Sequence, residues 1–447
     1  MIANGWYSRD LRKNVTCTED PALASVPFGG RKGVEKHGPG YLKALTFTDE
    51  LRIQAARPPT AVGLSLKARS ALTLAGHASP TTYAIWEEDD GTWATSSAYT
   101  PTAWPVVDRY AAAHPVAAEY GQAWTRLRPE AEYLFTDIAP GEPARNTFPH
   151  RLESKTGTPD LEFANLWERS PLSDRYLGQL AQSLVRDLKM GQAPGTDVLG
   201  ISFTATDLVG HAFGPHSHEI QDTLMRLDAT LGDLLDTLDE VVGRDRYVVA
   251  LSADHGVALV PEQATAAGGR AGRYTTTLVR GAIETALQSF LGAGPHVTTI
   301  SDGQVYLTPG TLSRVLATAG AREAVTRAIT GIEGPARVLW SDELSASTPT
   351  DDPILRAARL SYVADRSGDL LVVPTPHFMV RATSGTTHGT PYGYDQRVPV
   401  IFAGAGIKPG RYLVPATPAD IAPTLAHLVG ITMARVDGRV LTDAVVR

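Results

Sequence analysis

Cysteine is almost absent. Cys17 stands alone in 447 residues, which excludes an internal disulfide framework and leaves the redox compartment open. A surplus of positive charge is missing too: 48 Asp and Glu against 41 Lys and Arg give a formal net charge of −7. That balance argues against a nucleic-acid binder held by phosphate contacts, and no basic or acidic block forms a tail. No apolar run approaches the roughly 20 residues that span a bilayer. The opening "MIANGWYSRD" has neither a basic n-region nor an apolar h-region, so the sequence as written carries no signal peptide. Internal repeats and low-complexity tracts are absent as well. What is present, 43% hydrophobic and 20% charged residues, is ordinary globular composition, long enough for one large core with insertions.

The pattern along the chain predicts an α/β fold. "AVGLSL" (61–66) reads as a buried strand, and "TTYAIWEEDDGTWATSSAY" (81–99) as two aromatic-rich runs joined through a "DDG" turn. Residues 100–172, rich in Pro and polar residues, read as irregular. From 175 the order becomes regular. Leu177, Leu180, Leu184 and Leu188 share a helical face, and "DVLGISFTATD" is an apolar strand that delivers Asp207. Ile220, Leu224, Leu227, Leu231, Leu234, Leu238 and Val241 make a long amphipathic stripe, and "RYVVALSADHG" is a second buried strand ending at Asp254 and His255. Such alternation implies a mostly parallel sheet sandwiched by helices. Residues 261–380 read as an insertion with helices near 275–291 and 321–331. "VPVIFAGAGI" (398–407) is a strand, and "TPADIAPTLAHLVGI" a helix starting near Thr417. One domain over 1–447 with cap insertions at about 78–172 and 261–380 is the expected architecture.

Three stretches put Asp or His at strand ends or in Gly-rich loops: "TDLVGH" (Asp207, His211), "SADHG" (Asp254, His255) and "SGTTHGTPYGYD" (His388). Sites in open α/β sheets form outside the carboxyl ends of the strands. Imidazole nitrogen with carboxylate oxygen suits Zn²⁺, and five such groups exceed what one tetrahedral ion needs, so two ions are implied. Each stretch alone has an ordinary reading: a chance Asp-x-x-x-His, a polar turn after a strand, a flexible loop. His216 and His218, although spaced H-x-H, read as polar residues at a helix start. The remaining histidines show no partner pattern.

In this order, with 47 residues from Asp207 to Asp254 and 133 from His255 to His388, the motifs resemble the alkaline phosphatase superfamily, in its type I phosphodiesterase/nucleotide pyrophosphatase branch. The resemblance implies that Asp207, His211 and His388 hold one zinc and that Asp254 with His255 contributes to a second. "SLKARSALTLAGH" (65–77) is similar to the segment of the PafA-type alkaline phosphatases, a phosphate-monoester-cleaving subgroup. It implies that Lys67 and Arg69 reach the phosphoryl oxygens, and that Asn4 in "IANGWYS" donates to the same group. Without it, Lys67 and Arg69 would read as solvent-facing residues at a strand end, and Asn4–Gly5 as a tight turn.

The family also attacks phosphorus with a Ser or Thr hydroxyl, forming a covalent phospho-enzyme. In relatives that residue and one more Asp ligand lie upstream of the segment matched by "NGWY" (4–7), on the first strand and the helix after it. The nucleophile is therefore expected upstream of Met1. The expected activity is zinc-dependent hydrolysis of small-molecule phosphate monoesters by a periplasmic or extracellular monomer with no nucleic-acid partner and no membrane span. The alternatives are a nucleotide phosphodiesterase/pyrophosphatase on the same bimetal site, and a truncated, inactive zinc-binding relative.

Overall fold

In a computed structural model describing residues 4–381 and 383–446, the main sheet has five strands. Their order is Ser25–Pro27, Thr92–Ser96, Thr82–Glu88, Ala61–Ser65 and Val198–Ser202. The centre is parallel, Ala61–Ser65 pairing with Thr82–Glu88 on one side and Val198–Ser202 on the other, while the Ser25–Pro27 edge is antiparallel. Every residue of Ala61–Ser65 is buried, as a near-continuous apolar strand requires when both faces are covered. Helix Pro171–Asp187 covers one face: Ser170 caps it with Pro171 in its first turn, and Leu177, Leu180 and Leu184 pack against Val62, Leu64 and Ile85. Helix Ala68–Ala75 covers the other, with Ala71, Leu72 and Ala75 against Ala84 and Trp86.

Gly63 sets the height of that second helix. A Cβ there would lie 2.2 Å from the Ala71 carbonyl oxygen and 2.9 Å from the Ala75 Cβ. Helix Ala68–Ala75 can then rest on the strand only because residue 63 has no side chain. Gly63→Ala is expected to cost about 1–3 kcal/mol through overpacking, read as a lower denaturation midpoint. An unchanged midpoint would show that the helix is free to move outward.

The hairpin Thr82–Glu88/Thr92–Ser96 belongs to this main sheet, so the first insertion starts later than the expected boundary near 78. The apolar content of the hairpin is the reason: all of Thr92–Ser96, and all of Thr82–Glu88 except Tyr83, is buried. Residues 97–170 carry two short α-helices, Pro105–Ala113 and Leu161–Glu168, two 3-10 turns and a short antiparallel pair, Ala123–Trp124 with His150–Arg151, joined by irregular chain. The 24-residue helix His218–Val241, capped by Ser217, packs along Pro171–Asp187 and leads into strand Val248–Ser252. That strand pairs antiparallel with Val400–Gly404.

The second insertion is a cap with its own core. Strands Val297–Ser301, Gln304–Leu307, Leu370–Pro374 and Pro335–Trp340 form an antiparallel sheet in that order, and helices Thr276–Leu291, Thr311–Ala317 and Ala321–Thr330 pack on it around Ile283, Leu287, Val305 and Ile329. Both crossings between cap and main body run through one parallel pair, Gly272–Tyr274 beside Phe378–Val380. We refer to this pair as the neck. No helix among the described residues is long and apolar enough to cross a membrane.

Candidate metal centre

Asp207 does not sit at a strand terminus, as the sequence pattern suggested. Strand Val198–Ser202 gives way to helix Ala205–Phe213, whose first turn carries Asp207 and whose last turn carries His211. The i, i+4 spacing then places both on one helical face. Thr204 does not cap this helix with its side chain. The buried Asp174 accepts from the Ala205 N–H at 3.1 Å instead, and burial pushes its pKa up to about 7.

Three imidazoles converge on a single carboxylate oxygen. Asp207 Oδ1 lies 3.4 Å from His211 Nε2, 3.6 Å from His388 Nε2 and 3.8 Å from His255 Nε2. The three rings are close together: His211 and His388 centroids are 4.9 Å apart, and His255 stacks on His388 at 3.3 Å. His211 Nδ1 faces the Thr386 carbonyl at 2.9 Å, and His255 Nδ1 faces the Gly256 carbonyl at 2.9 Å. A carbonyl only accepts, so each Nδ1 carries a proton, which in a neutral ring leaves Nε2 with a lone pair to offer a cation. Lone pairs facing a carboxylate oxygen repel unless a cation lies between them. Zinc bonds of about 2.0–2.2 Å place tetrahedral donors roughly 3.3 Å apart, close to the separations observed. Asp207, His211 and His388 thus fit a metal ion, their donor atoms all lying within 4.8 Å of one another.

Charge at the site follows the same logic. Burial works to raise the Asp207 pKa, but the Lys67 ammonium on Oδ2, with His211 and His388, outweighs it, and the carboxyl stays below its ordinary range. Burial first, then the His255 and His211 rings, lower His388 to about 4. Between about pH 4 and 6.5 the unfolded chain therefore binds the His388 proton that the folded chain rejects. Stability of the metal-free protein is expected to rise with pH through that window and to fall on acidification, by up to about 3 kcal/mol. Denaturant unfolding at pH 7 and pH 4.5 checks this; an identical slope in His388→Asn would contradict it.

Asp254 is placed differently from the other four. Its side chain is 84% exposed and touches the cluster only through His255 Nε2, at 3.4 Å. Lys67 is not on a strand face, as its surface reading would have it. It is the N-cap residue of helix Ala68–Ala75, at the C-terminal end of Ala61–Ser65, and Arg69 follows in the first turn. Asn4, Lys67 and Arg69 line one cavity of about 530 Å³ together with Cys17, Glu87 and Asp89. Asn4 also lines a second cavity of about 340 Å³, beside His211, Thr387 and His388.

Five histidines outside the cluster have separate structural partners. His218 Nε2 bonds the Phe135 carbonyl, His216 stacks on Phe135, His77 pairs with Asp49, His150 with Glu219 and His37 with Glu35. Sequence reasoning missed Asp174 and Thr386. The first looked like any acid in a helical first turn, where a carboxylate is commonplace. Thr386 reads in sequence as a hydroxyl near a ligand with no role of its own, yet it is fully buried.

Comparison with known proteins extends this picture. The family model described as "Type I phosphodiesterase / nucleotide pyrophosphatase" matches residues 1–395. Alkaline phosphatase PafA of Elizabethkingia meningoseptica is 29% identical over 445 residues, covering 96% of this chain and 79% of that protein. Alkaline phosphatase PhoV of Synechococcus elongatus is 28% identical, covering 99% of this chain and 80% of its own length. The crystal structure of wild-type PafA superposes with a TM-score of 0.87 at 29% identity, covering 99% of this chain and 86% of that one. A PafA variant superposes equally well and carries substitutions at a Thr, an Asn, a Lys and an Arg, the last two separated by one residue.

Proposed function

The chain belongs to the type I phosphodiesterase/nucleotide pyrophosphatase family, and from that membership we propose that it is a zinc-dependent phosphate monoesterase. The observation that carries the proposal is the convergence of His211, His388 and His255 Nε2 on Asp207 Oδ1, beside the Lys67 ammonium. The similarity to two alkaline phosphatases along nearly the whole chain supports the monoester assignment.

In this reading Asp207, His211 and His388 hold one zinc, and His255 with Asp254 serves the second. Zinc at this centre supplies positive charge that activates an attacking hydroxyl and stabilises the leaving oxygen. Lys67 and Arg69 take the non-bridging phosphoryl oxygens. A monoester dianion presents more charge there than a diester, so two cations favour it. The Asn4 side chain donates to the same oxygens. The substituted Lys and Arg of the PafA variant have the spacing of Lys67 and Arg69, and the Asn lies roughly sixty positions before that Lys, as Asn4 does before Lys67.

The attacking Ser or Thr, which would carry the phosphoryl group as a covalent intermediate, we place outside residues 1–447. The substituted Thr of the PafA variant precedes its Asn by roughly twenty positions. The sheet supports this as well. Among the described residues, Val198–Ser202 and Val248–Ser252, the strands that lead to Asp207 and to Asp254/His255, are each paired on one side only, and all their residues are half-buried. A parallel strand between them would complete the sheet and bring its C-terminal end to the metal centre. The same reading makes the enzyme a monomer working in the periplasm or outside the cell.

The test is the relative kcat/KM for an aryl phosphate monoester and the matching diester with zinc supplied, for residues 1–447 and for the protein with its upstream coding region. Monoester preference supports the proposal. Diester preference would favour the nucleotide phosphodiesterase reading, and zinc binding without turnover of either ester in both proteins an inactive relative.

A further inference from the structure

Three ligand-bearing segments meet at Thr386, two residues before His388. Its N–H donates to the His211 carbonyl at 2.9 Å, its hydroxyl donates to the Ala258 carbonyl at 2.8 Å, and its own carbonyl accepts from His211 Nδ1 at 2.9 Å. The Gly385 N–H donates to the Gly141 carbonyl at 2.7 Å. Gly385 itself has φ +77°, and a Cβ there would lie 2.2 Å from the His211 carbonyl oxygen. The loop is thus pressed against the helix that carries His211, at a position only glycine tolerates.

The carbonyls of this loop are gripped by two arginines of the neck. Arg381, just after Phe378–Val380, donates from Nε to the Ser384 carbonyl at 2.8 Å and from Nη1 to the Thr386 carbonyl at 3.2 Å. Arg273, within Gly272–Tyr274, donates from Nη2 to the Gly385 carbonyl at 2.7 Å and pairs with Glu262 at 2.6 Å. Two guanidiniums so close together repel. Burial, and then the Arg273 charge, lower the pKa of Arg381. Three consecutive carbonyl dipoles and the Glu262 carboxylate offset that cost. A loop could be fastened with less strain by neutral donors; a paired cation clamp fixes three carbonyls in rigid planar geometry.

We propose that Arg273 and Arg381 are positioning residues for the metal ligands: they fix the 384–388 loop, and through the Thr386 carbonyl they fix the tautomer and orientation of His211. This inference rests on the metal-centre reading above. Because both arginines sit where the chain crosses between cap and main body, they also tie the cap to the ligand loop. Groups that orient ligand histidines typically govern metal affinity by about 10–100-fold.

The experiment is zinc affinity by chelator competition, with unfolding of the metal-free protein followed in parallel. Arg381→Met is expected to weaken zinc binding about 10–100-fold, and Arg381→Lys, which keeps one donor and the charge, to recover part of the loss. Zinc affinity within twofold of the wild type in Arg381→Met overturns the proposal. So does a loss that merely parallels lower metal-free stability with no recovery by Lys. Should Arg381→Met fail to fold, Arg273→Met replaces it: the bond to the Gly385 carbonyl is lost while the ligands stay in place, and unchanged affinity there is equally fatal. His388→Ala separates the two levels, since zinc binding that survives in that variant would sink the metal-centre reading itself.

Discussion

Asp207→Ala is expected to lower zinc-dependent kcat/KM for a phosphate monoester by at least ~10³-fold, equivalent to about 4 kcal/mol of transition-state stabilisation. Its geometry makes this the most damaging single change. One oxygen faces three imidazole nitrogens at 3.4–3.8 Å and the other holds the Lys67 ammonium. Removing the carboxylate takes away the anionic ligand shared by the three imidazoles and frees Lys67 to swing. Asp207→Asn keeps the shape and loses the charge, so it should fall almost as far. Activity within tenfold of the wild type in either variant, with bound zinc unchanged, would mean that the metal centre lies elsewhere.

Lys67→Ala should separate monoester from diester chemistry. The expected loss is about 10²–10³-fold in kcat/KM for the monoester and no more than about 10-fold for the diester, because the ammonium meets charge that only the dianion carries. Lys67 also neutralises Asp207, so part of the loss will be common to both esters. The ratio of the two losses is the informative quantity. Equal losses would show that Lys67 serves the metal ligand alone, and the monoesterase assignment would then lose its main specific support.

The sequence carried the chemistry of this protein more plainly than its local structure. Apolar periodicity located helix His218–Val241 and strand Val248–Ser252, because burial against a core imposes those periods directly. The family resemblance grouped Asp207, His211 and His388, which the fold brings together from residues 181 apart at the extremes. Periodicity failed where a short element intervened. Five residues after the end of strand Val198–Ser202, Asp207 is already helical, and an apolar "ISFTATDLVGHAF" does not mark that change. The hairpin 82–96 was assigned to an insertion because antiparallel edges of a mixed sheet and cap hairpins share one pattern; only partner strands distinguish them. Thr386, Arg273 and Arg381 were illegible for another reason. Their work is done on backbone carbonyls, which every residue possesses, so no side-chain motif announces it.

The central claim is that a metal ion held by Asp207, His211 and His388 powers phosphate-ester hydrolysis. The most direct measurement is monoester turnover as zinc is titrated into chelator-stripped protein, including the product of the upstream coding region, with His388→Ala alongside. The account predicts turnover that rises with bound zinc and, in His388→Ala, a loss of both zinc and turnover. Turnover that persists without zinc, or that survives His388→Ala undiminished, would contradict it.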